Sequence, residues 1–85
     1  MPTALKSGPY RFFFFSGDRR EPAHVHVECQ DAYAKVWLEP VSVARAHGFR
    51  SHQLSEISRI VREHRQSLLD RWHEHFGNPP GPLGR

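Results

Sequence analysis

Cysteine is nearly absent. Cys29 is the only one in 85 residues, so no internal disulfide can form and a zinc finger built on several thiolates is excluded. No apolar run approaches the ~18 residues that a membrane-spanning helix needs. The N-terminus lacks the basic, apolar and small-residue order of a secretory signal, so a cytoplasmic, bacterial-type protein is expected. Charge of one sign is also lacking. Twelve basic residues face nine acidic ones for a net charge of +3, and the signs are interleaved in both halves of the chain. The pI of about 9.6 therefore does not identify a nucleic-acid arm by itself. No internal repeat occurs, and no cofactor is expected.

What is present suits one small domain. At this length, folding hides only about 60–65% of the unfolded chain's surface, so help from a partner subunit or a metal would matter. Seven histidines keep a histidine/carboxylate site open. Ten of the twelve basic residues are arginine, the side chain best shaped for carboxylate and phosphate.

Three short runs in residues 1–39 read as strands. Tyr10–Ser16 is aromatic-rich and bounded by the turn signals Gly8-Pro9 and Gly17-Asp18. His24–Cys29 and Ala34–Glu39 both alternate. A two-residue turn at Gln30-Asp31 would set Cys29 against Ala32, Val27 against Ala34 and Val25 against Val36. The other face would then carry His26 beside Lys35 and His24 beside Trp37. Residues 40–50 fit a fourth strand through Val41 and Val43, or one helical turn ending at Gly48; the strand is preferred.

Residues 51–76 read as one long helix. Leu54, Ile57, Val61, Leu68, Trp72 and Phe76 make its apolar stripe, widened by Ile60 and Leu69. Ser51 is the expected N-cap and Gly77 the expected C-terminal glycine. At roughly 39 Å this helix would overhang strands of about 20 Å. The expected architecture is α+β: a three- or four-stranded antiparallel sheet packed on one face by a long C-terminal helix. Residues 1–77 would form the domain, and the Pro/Gly-rich residues 78–85 a disordered tail.

Gly8-Pro9-Tyr10-Arg11-Phe12-Phe13-Phe14-Phe15-Ser16, Pro22-Ala23-His24-Val25-His26-Val27, Ala34-Lys35-Val36-Trp37-Leu38-Glu39-Pro40-Val41, Gly48-Phe49 and Trp72-His73-Glu74-His75-Phe76 follow one another in order. Together they resemble the bacterial family called domain of unknown function 4160, over nearly the whole chain. The resemblance implies no established activity. It implies a gene arrangement like that of small toxin–antitoxin pairs, with a cognate small protein from a neighbouring gene as partner. Ala23 stands where the family usually has a second proline, and Arg50 where it often has a helix-capping serine.

The sharpest chemical feature is His24-x-His26-x-Glu28. Alternation puts both imidazoles and the carboxylate on one strand face, a set that could hold a catalytic metal. Lys35 beside His26 adds positive charge and opposes a cation there. His24, His26, Glu28 and Lys35 also include the residue types of an acid/base site around a phosphate. Arg11, Arg19, Arg20 and Trp37 are the candidate binding residues. Set against these readings, two histidines on the polar face of a half-buried strand can be structural, and Gly17–Pro22 can be a solvated turn. Arg59, Arg62 and Arg65 are interleaved with acids, as on a solvated helix face. His64 and His75 are expected at the edge of the core, and Cys29 within it as a small buried residue.

The four phenylalanines alternate: Phe12 and Phe14 to one side, Phe13 and Phe15 to the other. One helix covers one face, which leaves Phe13, Phe15, Trp37 and Tyr33 as an apolar area larger than monomers ordinarily expose. A partner protein, a second copy or stacked RNA bases would then cover it. Three functions follow: the toxin-like half of a two-gene pair acting through protein–protein binding and directed at RNA or translation; a metal-dependent hydrolase or nuclease; and a nucleic-acid-binding regulator.

Overall fold

The computed structural model describes residues 3–15 and 20–77. The disordered tail expected at 78–85 lies outside them, as do residues 17–19 of the Gly17–Pro22 turn.

Among the described residues, five strands precede two helices. They are β1 (Thr3–Ser7), β2 (Tyr10–Phe13), β3 (His24–Cys29), β4 (Ala32–Leu38), β5 (Val41–His47), α1 (Ser51–Glu63) and α2 (Arg65–Phe76). The strands form one antiparallel meander in the order β1-β2-β3-β4-β5. The architecture is α+β as expected, but with five strands rather than three or four, and two helices rather than one. β1 was missed because Thr3-Ala4-Leu5-Lys6-Ser7 is short and its pairing with β2 slips between Thr3 and Leu5, which hides the alternation.

The β3–β4 register is the expected one throughout, from His24↔Trp37 to Cys29↔Ala32. Gln30 closes that turn with a left-handed φ of 54°, without the glycine such turns prefer. Residues 41–47 are a strand, not a helical turn.

The core lies between the sheet and the helices. Phe12, Val25, Val27, Ala34, Val36 and Leu38 from the sheet are fully buried against Ile57 and Val61 of α1. All eight stripe residues of the expected helix pack in or against this core. The helix itself breaks at His64, whose φ of −110° and ψ of 16° leave the helical region. There the Ile60 carbonyl faces both the His64 backbone N–H and the ring Nδ1, each at 3.0 Å. The break removes the overhang: α2 contacts β1 and β4, whereas α1 contacts β4 and β5. Trp72 and Phe76 thereby reach Phe14, with ring centroids 5.5 and 6.2 Å away.

The N-cap is Arg50, not Ser51. Arg50 has the extended backbone (φ −83°, ψ 163°), and its N–H donates to Gln53 Oε1 at 2.8 Å. At the far end Gly77 takes a φ of 82°, and its N–H donates to the His73 carbonyl at 2.7 Å.

Candidate functional site

Cross-strand register assembles the sheet face turned away from the helices. One row reads Lys6, Arg11, Glu28, Tyr33, His47 across all five strands. The next reads Phe13, His26, Lys35, Arg45, and a third His24, Trp37, Ser42. Arg45 joins this face through the bulge at Ala44. Val43 pairs with Val36 on the core side, but Arg45 pairs with Lys35, so two residues that plain alternation would put together end on opposite faces.

The histidine pair lies here, and it is buried. His24 is 0% and His26 5% exposed, with ring centroids 5.0 Å apart. His24 Nδ1 is 2.8 Å from the Pro22 carbonyl. A carbonyl only accepts, so Nδ1 carries the hydrogen. His26 Nδ1 is 2.8 Å from the Tyr33 hydroxyl. The expected separation of this face from the helices fails at one point: His24 meets Trp72 of α2, 5.2 Å between centroids. His64 and His75 stay apart from this pair, His75 lying against Phe14 and Phe76.

The expected bare aromatic area is largely closed by the chain's own groups. Phe13 and Tyr33 stack on His26 at 5.5 and 5.8 Å, both inclined by 26°, and Phe15 meets His26 edge-on at 4.5 Å. The Arg11 guanidinium stands 4.7 Å over Phe13, and Lys35 Nζ 4.7 Å over Trp37. Phe13 is thus 5% exposed, and Phe15 is the one ring of the set left exposed, at 40%. The rings spend their faces on one another, which disfavours base stacking upon them.

Glu28 does not complete a set with the histidines. Its carboxylate is ion-paired with Arg11 on the neighbouring strand, and Arg11 Nε also donates to Thr3 Oγ1 at 3.0 Å. Lys35 is ion-paired with Glu21, whose carboxylate also lies 3.9 Å from His24 Nε2. Among the described residues no group of three His, Cys, Asp or Glu side chains could hold a metal ion. Arg20 is exposed, and Arg19 lies outside the described residues. Cys29 is half-buried rather than buried, lining a depression of about 360 Å³ with His47, Arg50 and Gln53.

The charge is one-sided. The strands carry Lys6, Arg11, Lys35 and Arg45 against a single acid, Glu28, and all five share the polar face. The helices carry Arg59, Arg62, Arg65 and Arg71 against Glu56, Glu63, Asp70 and Glu74, a neutral balance. Of the basic side chains on this face, sequence reasoning singled out Arg11 and Lys35 and did not single out Lys6, Arg45 or His47. The signal for the last two was the Val41/Val43 alternation continued toward Gly48; the bulge that turns them round leaves no mark in composition.

One titration stands out elsewhere. Burial, then the hydrogen bond to Glu56 (2.7 Å) and that carboxylate's charge, push the Tyr10 phenol up to about 12. This pair ties β2 to α1 and lies away from the cationic face.

A family model described as Domain of unknown function (DUF4160) matches residues 10–73, from β2 into α2. No curated protein and no solved structure matches the chain. Among the described residues no helix is long and apolar enough to cross a membrane.

Proposed function

The chain belongs to the domain of unknown function 4160 family, and from that premise we propose that it binds RNA through the phosphate backbone, on the sheet face opposite the helices. The observation that carries the reading is the uneven charge: Lys6, Arg11, Lys35 and Arg45 on that face against two acids, Glu28 and Glu21, compared with balanced helices. Phosphate contacts by Lys and Arg supply most sequence-independent affinity. The buried His24 and His26 act in this reading as internal props. They hold Phe13, Tyr33 and Trp37 upright, so that the cations stand on a rigid floor. The activity is binding, not metal-dependent hydrolysis, because Glu28 is turned to Arg11. In the two-gene arrangement that the family resemblance implies, this is the RNA-directed, toxin-like half of a cytoplasmic pair, and a cognate small protein is its partner.

Fluorescence anisotropy with a labelled single-stranded RNA tests this. Arg11 and Lys35 are already ion-paired with Glu28 and Glu21, so with Lys6 and Arg45 engaged log K should fall against log salt with a slope of about −1.4. Lys6→Glu and Arg45→Glu should each weaken binding, whereas Arg59→Glu and Arg62→Glu on α1 should not. A salt-independent affinity, or equal loss from the α1 variants, would refute the assignment.

A further inference from the structure

We infer that β5 is an edge to which a partner protein adds an acidic, extended segment as a sixth strand. Among the described residues the sheet ends at β5, which pairs there with β4 alone. Every residue from Ser42 to His47 is exposed, and Val43 is one of two large apolar residues that stand open among the described residues, at 38%. An open edge presents backbone donors and acceptors to any chain that fits them.

Charge selects the occupant. From Pro40 to Ser55 there is no Asp or Glu, while Arg45, His47, Arg50 and His52 fall in this stretch. The first turn of α1 also lacks an acid. Beyond the Ala44 bulge, Arg45 and His47 share the polar face and Ala46 takes the core side. Directly opposed side chains in an antiparallel pair stand about 4.5–5.5 Å apart at Cβ. The complementary segment therefore alternates: carboxylates opposite Arg45 and His47, with small or β-branched apolar residues between them, toward Ala46 and Val43. A second copy is a poor occupant, because it would bring two sets of arginines onto one edge with no carboxylate in the stretch. The inference does not rest on the RNA reading, though the two meet at Arg45.

The probe is a peptide of β5's length that alternates valine and glutamate, added to the full chain. Isothermal titration and amide hydrogen exchange read its binding. Saturable binding that protects the amides of residues 41–47 is expected. Arg45→Glu should weaken it about tenfold or more, as loss of one close charge pair does. A valine–lysine peptide should not bind. The same glutamate peptide methylated on alternate backbone nitrogens should lose its affinity, which separates strand addition from charge attraction alone. Equal binding by the methylated peptide would overturn the inference, as would concentration-dependent dimers that protect β5 without peptide. If RNA still binds with the expected salt slope while the peptide does not, this inference fails and the RNA reading stands.

Discussion

Replacing Tyr10 with phenylalanine removes one oxygen atom and leaves the ring to pack as before. In the native chain the phenol is 2% exposed, meets Phe49 at 6.0 Å between centroids, and donates to Glu56 Oε1 at 2.7 Å. A hydrogen bond to a charged acceptor contributes about 1.5–3 kcal/mol. Glu56 is exposed and regains water when the hydroxyl is gone, so the net loss at neutral pH should be about 1 kcal/mol. For a domain of this size that lowers Tm by roughly 4–8 °C. The pH dependence is more diagnostic. An unfolded tyrosine ionises near 10, and Tyr10 in the fold near 12. Between those values the unfolded chain has released a proton that the native chain keeps, so raising pH favours unfolding. The contribution is whole below about pH 10 and is lost as pH rises through 12. Two pKa units correspond to about 2–3 kcal/mol at most. Urea denaturation of wild type and Tyr10→Phe across pH 8–12 should therefore give stability curves that approach one another above about pH 10 and cross near about pH 11. Tyr33→Phe, the same change at the other tyrosine, serves as the comparison. Parallel curves through this window would show that the Tyr10–Glu56 bond does not hold β2 to α1.

Gly48→Ala should cost about 1–3 kcal/mol in urea midpoint: φ is +84°, and a Cβ would stand 3.1 Å from the Ala32 Cα. An unchanged midpoint would contradict the close approach of β5's end to β4. Ile57→Val should cost about 0.5–1.5 kcal/mol from the core, whereas Val43→Thr on the exposed edge should stay within about 0.5 kcal/mol; reversed sizes would mean the sheet faces are misassigned. Arg65→Ala should lose about 1 kcal/mol, because its guanidinium donates to the Leu38 carbonyl at 2.8 Å and to Glu39 at 2.7 Å; no change in thermal unfolding would remove that clamp from the account.

The β3–β4 hairpin was legible because its alternation is strict over six residues, and a two-residue turn permits one register. The helical stripe was legible for the same reason at a period near 3.6. What escaped had competing local signals. The break at His64 rests on a ring nitrogen reaching the carbonyl of Ile60, which periodicity does not record. β1 and the Ala44 bulge each slip the pairing by one residue, which erases alternation where it would be read. At the site, the pairing of His26 with Lys35 and of His24 with Trp37 was foreseen, but the closure of the aromatic set was not. Counting rings gave the area to be covered; only their stacking on His26 showed that the chain covers most of it itself. Glu28 shared a face with the histidines as expected, yet a neighbouring strand supplied Arg11 and drew it away.

Because each strand pairs with the one that follows it in the chain, the sheet can zip hairpin by hairpin without a long loop closing first. That arrangement keeps the average sequence distance between touching strands short, and short distances go with fast folding. Once β4 has β5 beside it, α1 follows within a few residues and can cap both. A newly made chain should then hide its valines within about milliseconds of its last helix emerging, leaving little time for unpaired edges to find the wrong neighbour.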